Sequence, residues 1–417
     1  MWDPYAEFES AVLWNGLTVY AAHWPGRPWE AMGFIVHSGA ENDPIGLEGL
    51  SHFVEHLVSE NTIVTKDEMR SFFGARGGKI GLGRTGYSNV KYSFFLPIDP
   101  ATIVRAFSMF GHMLLSARLD KLIERERSVI LEEFNRRYPT RDKLDLKWRE
   151  RKMLYPDKWL GRFVRTLGDP DSIRRITQAD LQKHYDNYYT PANISIVGVG
   201  GLQISELVEL LSKSAFLVDK VGARVPLSTP TTGATLPAEN RHVFETTKSM
   251  GIQVTSGAYR SVAQVPGRVN NRAIAILEEM VDKLLGEEIR EKRAWTYAIS
   301  GDWCNYRNFY EFSINCDAFV LSALDRIEGT IEDCISSLSD REDLLEKVKE
   351  MKTSRITMLD LTARELCDDA IADLDVYQRV ITLAEYCEAV NRVTMDDIRD
   401  ILRWLRPARR WTLIVRP

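Results

Sequence analysis

An α+β fold of two similar domains, each a mainly antiparallel sheet covered by helices, is the class this sequence predicts. Three observations carry it. The chain has 417 residues, which is long for one ordinary core and suits about two domains. Strand-like and helix-like stretches are mixed in both halves, as expected for sheets with helices packed on them. Near the end of each half a helix pattern runs into a strand pattern, and the matching residues keep one constant offset. Thr177 corresponds to Thr394, Asp180 to Asp397, Leu181 to Ile398, and Ile194-Ser195-Ile196 to Trp411-Thr412-Leu413. A constant offset points to internal duplication.

The elements follow in order. Residues 12–20 read as two short strand pieces around Asn15-Gly16, a turn dipeptide. Residues 29–38 read as a strand. Residues 47–60 have helical apolar spacing through Leu47, Leu50, Phe53, Val54 and Leu57. A strand at 90–96 is closed by Pro97, and 119–137 is a long amphipathic helix. Residues 177–189 form a helix whose start suits Thr177 and Asp180, followed by a β-branched strand at 193–199. Gly, Pro, Thr and Ser then dominate around 226–233, so 221–240 is read as a linker between domains 1–220 and 241–417. Strands at 242–245 and 251–256, a helix at 271–285 and strands within 297–318 complete the pattern.

Composition excludes several roles. Hydrophobic residues are 44%, charged residues 27%, and the net charge is −5 with no dense Lys/Arg run. Neither nucleic acid nor an anionic membrane is expected as a partner. The acidic start lacks the cationic and apolar regions of a signal or transit peptide, and no stretch reaches the ~18 apolar residues of a membrane helix. The cytoplasm is the expected location. Five cysteines (Cys304, Cys316, Cys334, Cys367 and Cys387) are scattered without a C-x-x-C pair, as reduced structural thiols would be.

Chemistry concentrates in His52-Phe53-Val54-Glu55-His56. Histidines at i and i+4 project to one side of a helix, the spacing that lets two imidazoles share a zinc ion. Glu55 points the same way, while Leu50, Phe53, Val54 and Leu57 point roughly opposite. The helix is therefore expected to pack its back on the core and turn its histidines outward, toward a cleft. The alternative is two surface histidines beside a solvated glutamate. On the helix at 119–137, Leu119, Leu122, Ile123, Ile130 and Phe134 form the apolar stripe, and Glu126 and Glu133 fall inside it. Carboxylates on a buried face are costly unless paired or metal-bound. Glu132 falls on the outer face, so Glu133 is the better third ligand. A buried pair of Glu133 with an arginine such as Arg137 is the alternative.

His-x-x-Glu-His followed about 70 residues later by Glu-x6-Glu resembles the inverted zinc peptidases, the family of pitrilysin, insulysin and the mitochondrial processing peptidase. The resemblance extends to Asn15-Gly16-Leu17-Thr18-Val19-Tyr20, Gly46-Leu47-Glu48-Gly49-Leu50-Ser51, the run from Glu126 to Glu133, and Tyr188-Tyr189-Thr190-Pro191-Ala192-Asn193. It covers nearly the whole chain. It implies that His52, His56 and Glu133 bind Zn2+, that Glu55 is the catalytic base, and that Glu126 supports the site. It implies further that Arg290 and Tyr297, seven apart, contact substrate from the C-terminal domain. One departure stands out. The family's Gly-Gly-x-x-Asn-Ala-x-Thr edge strand reads here Gly77-Gly78-Lys79-Ile80-Gly81-Leu82-Gly83-Arg84, with Gly81 in the place of the asparagine. Ser59-Glu60-Asn61-Thr62 also differs from the family's usual Phe-Lys-Gly-Thr.

The implied activity is hydrolysis of unstructured peptides held in an enclosed chamber. Family members assemble four such domains, so a two-domain chain implies a homodimer, or a heterodimer with a related chain. Two other readings remain open: a maturation protease for one precursor peptide, which the atypical edge strand motivates, and a non-catalytic scaffold, which would normally have lost ligands.

Overall fold

The computed structural model describes residues 3–60, 63–139, 148, 150–152, 154–155, 159–162, 166–220, 222–225, 241–245, 257–306, 309–319, 321–357 and 362–416. The strand expected at 251–256 and most of the 221–240 linker lie outside these residues. The chain forms two compact units. The first comprises Met1–Arg137, Arg162–Ser228 and Asp360–Leu383; the second comprises Tyr138–Gly161, Thr229–Leu359 and Ala384–Pro417.

The first unit holds β1 (Phe8–Val12), β2 (Thr18–His23), β3 (Trp29–Val36), β4 (Lys79–Thr85), β5 (Val90–Pro97) and β6 (Ile194–Gly200). Their order is β1-β2-β6-β3-β5-β4, with only β2 and β6 parallel. Asn15-Gly16 makes the β1–β2 turn: Gly16 takes φ +86°, and the Asn15 amide donates to the Phe216 carbonyl. Helices Pro100–Leu115 and Ile204–Ser212 bring Phe107, Phe110, Leu207 and Leu211 into one core with Phe34 and Phe94. On the other side of this sheet, Leu366, Cys367, Ala370, Ile371 and Leu374 of helix Ala363–Tyr377 cluster with Ala31, Ile35, Val197 and Val199. That cover explains why β6 is buried at every residue and β3 at all but its first, as a strand packed on both faces must be.

The second unit holds β7 (Arg241–Glu245), β8 (Gly257–Pro266), β9 (Ala298–Asn305), β10 (Phe309–Phe319) and β11 (Arg410–Arg416) in the order β7-β11-β8-β10-β9. Strand for strand this repeats β2-β6-β3-β5-β4, down to the single parallel pair, here β7 with β11. The helices before β6 and β11 start alike. Thr177 and Thr394 accept from the backbone N–H of Asp180 and Asp397, whose carboxylates accept from the threonine N–H in return. This reciprocal cap underlies the constant offset seen in the sequence. Glu150, of the segment contributed from the first half, pairs with Arg260 at 2.6 Å, and the Tyr155 hydroxyl donates to Glu311.

Two helix boundaries differ from expectation. The helix read at 119–137 begins at Ile123, because Leu122 adopts a left-handed φ of +65°. The helix read at 47–60 runs Leu50–Ser59. Gly49 breaks the lead-in at φ +95°, where a Cβ would sit 2.6 Å from the Leu167 carbonyl oxygen. No helix of the described residues is long and apolar enough to cross a membrane.

Candidate metal centre

The site is built on helix Leu50–Ser59, and its N-terminus is fastened before its chemistry begins. Asp43 accepts from the N–H of Gly49 at 2.7 Å, the N–H of Ser51 at 2.8 Å and the Ser51 hydroxyl at 2.6 Å. Such bonds satisfy N–H groups that a helix start leaves without intrahelical partners. Burial raises the Asp43 carboxyl to about 7, against the pull of those hydrogen bonds. Ser51 also meets His184 Nε2 at 3.2 Å.

Leu50, Phe53, Val54 and Leu57 enter the core as the apolar spacing predicts. The opposite side is not open. His52 is 7% exposed and Glu55 8%, because β4 and helix Ile123–Arg137 lie against it. His52 is thus buried and His56 half-buried, its side chain 18% exposed, with the second helix delivering the carboxylates.

Glu133 Oε2 stands 3.7 Å from His52 Nε2 and 3.7 Å from His56 Nε2. All three donor atoms lie within 4.8 Å of one another. These gaps are too wide for hydrogen bonds. They come close to the roughly 3.3 Å edge of a tetrahedron whose bonds are about 2.0–2.1 Å. Two imidazoles and a carboxylate also form the donor set that suits zinc. The residues therefore fit the ion that the sequence implied. Arg137 Nη2 approaches the other oxygen, Glu133 Oε1, at 4.0 Å. The alternative arginine pairing and the three-donor arrangement thus coexist, one on each carboxylate oxygen. Glu132 is exposed.

Glu126, 2% exposed, places Oε2 3.2 Å from His56 Nδ1. This bond fixes the ring and directs Nε2 into the cluster, the usual task of a carboxylate behind a metal-binding histidine. Burial would lower the pKa of His56, but the Glu126 and Glu133 carboxylates outweigh it and raise it to about 9. At 3.7 Å Glu133 acts on that charge by attraction rather than through a closed hydrogen bond. Burial, then the neighbouring His56, lowers His52 to about 3. The facing His56 imidazole holds the Glu133 carboxyl below its ordinary range. Raised in this way, His56 favours its protonated form near neutrality, and an incoming cation must displace that proton. Zinc affinity is expected to rise with pH from neutrality toward about 9. Calorimetry at pH 7 in buffers of different ionisation enthalpy should show about one proton released per zinc bound; no release would contradict a protonated His56.

Glu55 is held from β4. Its Oε2 accepts from the Thr85 hydroxyl at 2.9 Å, and Gly83 lies so close that a Cβ there would sit 2.1 Å from Oε1. Burial raises the Glu55 carboxyl, with His56 and Thr85 pulling the other way. Arg290 and Tyr297 belong to the second unit, whereas the cluster is made of first-unit residues alone. Arg290 lies in a π-helical turn, Gly286–Glu291, and pairs with Glu291 at 2.8 Å. Tyr297 is 84% exposed. Asp43, Ser51, His184, Thr85 and Gly83 were not singled out for these contacts by the sequence. The one available signal was the cluster of glycines at 81, 83 and 86.

Residues 18–144 match the family model described as Insulinase (Peptidase family M16), and residues 175–351 match that of the Peptidase M16 inactive domain. The chain is 25% identical over 238 residues to the mitochondrial-processing peptidase subunit beta of Neurospora crassa, covering 57% of this chain and 47% of that protein. It is 27% identical over 191 residues to the probable zinc protease PqqL of Escherichia coli, covering 42% of this chain and 19% of that protein. The chain thus spans less than half the length of these two relatives. The crystal structure of a protease from Helicobacter pylori has a TM-score of 0.80 at 18% identity, with 100% of both chains covered, a likeness of fold.

Proposed function

This chain belongs to the insulinase family, peptidase family M16, and we propose that it is a zinc-dependent endopeptidase acting on unstructured peptides. The observation that carries the proposal is the convergence of His52, His56 and Glu133 donor atoms within 4.8 Å, beside the buried carboxylate of Glu55. Bound there, zinc supplies Lewis acidity toward water and toward a peptide carbonyl. Glu55 accepts the proton of the attacking water and returns it to the leaving amine nitrogen. Glu126 keeps His56 in register. An extended peptide pairs with the free edge of β4, the last strand of its sheet, by strand addition.

Arg290 and Tyr297 serve as donors to the substrate carbonyl oxygen. The chain works as a homodimer, or as a heterodimer with a related chain, that encloses the peptide in a chamber. The broken register of β4 around Leu82 and Gly83 favours a narrower variant of this reading, a maturation protease for one precursor peptide. The intact donor set counts against a non-catalytic scaffold.

The test is cleavage of a mixed set of unstructured peptides before and after chelation, with zinc added back. Cleavage lost on chelation and restored by zinc is expected. One-to-one zinc binding with no cleavage of any peptide, precursor-like sequences included, would refute the peptidase reading.

A further inference from the structure

We infer that Thr85 is the positioning residue for Glu55, and that a one-residue β-bulge in β4 is the device that delivers it. The inference rests on the peptidase reading for its catalytic consequence, but its contact stands on geometry alone.

Register makes the argument. Along β4 and β5, Ile80 pairs with Phe94 and Gly81 with Ser93; pairing then resumes with Arg84 opposite Lys91 and Thr85 opposite Val90. Leu82 and Gly83 together therefore oppose Tyr92 alone, which is one residue too many. Paired residues share a face, and successive residues alternate between faces. Val90, Tyr92, Phe94 and Leu96 are the buried residues of β5, so Thr85, opposite Val90, shares their inward face. With no extra residue, Arg84 would oppose Val90 and take that face, and Thr85 would point away. A single-residue shift flips every later side chain, and bulges are used in this way to re-aim one.

The bulge is also fitted to the helix it meets. Gly83 has φ +139°, which L side chains rarely adopt, and its missing Cβ leaves room for the Glu55 carboxylate. The Ser59 hydroxyl, one helical turn beyond Glu55, donates to the Leu82 carbonyl. The Thr166 hydroxyl donates to the Thr85 carbonyl at 3.2 Å. Backbone and side chain of Thr85 are thus both held, and its hydroxyl has the 2.9 Å bond to Glu55 Oε2. Gly83 thus lets the strand fold onto the base.

The test compares Thr85→Val, which removes the hydroxyl at nearly constant shape, with Thr85→Ser, which keeps it. Both are made in the full zinc-loaded chain and again in a Glu55→Ala background. Thr85→Val should lower the melting temperature by about 2–4 °C when Glu55 is present and by clearly less when it is absent. Peptide turnover should fall about ten- to a hundredfold in kcat, with KM and zinc content little changed, and Thr85→Ser should restore both readouts. Equal melting shifts in the two backgrounds, or a serine variant as impaired as the valine one, would overturn the inference. If the wild-type chain cleaves no peptide, the melting cycle still decides the contact, and the failure falls on the peptidase reading alone.

Discussion

Replacing Glu55 by glutamine is expected to leave the zinc content unchanged and to cut peptide hydrolysis by about 10²–10⁴-fold, the range of a lost general base. Glutamine has nearly the same shape, so the contact with Gly83 and the packing of helix Leu50–Ser59 are preserved. Its amide oxygen can still accept from Thr85. What it cannot do is take a proton from water. The three zinc donors are other residues, so metal analysis after gel filtration should match the wild type. The burial that raises the Glu55 carboxyl works in the same direction, because a stronger base is a better proton acceptor near neutral pH. A variant that retains zinc and cleaves within about threefold of wild type would show that Glu55 is not the base. Loss of zinc together with activity would instead mean that Glu55 helps to hold the metal.

Much of this site was legible because helices have a fixed period. The spacing of His52 and His56 and the place of Glu126 and Glu133 in an apolar stripe each follow from about 100° per residue. The duplicated sheet was legible for a related reason: Thr177 with Asp180 and Thr394 with Asp397 are local caps, and local caps leave a local trace. The illegible parts depend on contacts remote in sequence or on register. Asp43 reaches forward six and eight residues to Gly49 and Ser51, a span with no fixed sequence period. The Thr85 contact exists only because two residues of β4 oppose one of β5, and the glycines at 81 and 83 mark an irregular strand without fixing which residue it turns inward. Helix Ala363–Tyr377 belongs by sequence to the second half, yet it covers the first sheet. Its apolar face says that it is buried, not against which sheet.

Substituting glutamine along helix Ile123–Arg137 should give a graded loss of zinc affinity that no general weakening of the helix could produce. Glu133→Gln removes the charged donor that faces both imidazoles and should lower affinity by well over a hundredfold, beyond the roughly 10–100-fold typical of a supporting partner. Glu126→Gln should fall in that supporting range. It leaves all three donors in place and loses only the charge behind His56 Nδ1. Glu132→Gln should bind zinc as the wild type does, since Glu132 is exposed on the outer face. Neighbours 132 and 133 have the same side chain and sit in the same helix turn, so effects of helix propensity, net charge and overall folding nearly cancel between them. Only direction differs, and direction is what the apolar stripe fixes. Competition with a chromophoric chelator at pH 8 reads all three variants on one scale. Equal losses for Glu132→Gln and Glu133→Gln would mean that the helix acts on the site through its summed charge. A large loss for Glu133→Gln, an intermediate one for Glu126→Gln and none for Glu132→Gln would mean that one oxygen, aimed by one rotation of the helix, holds the metal.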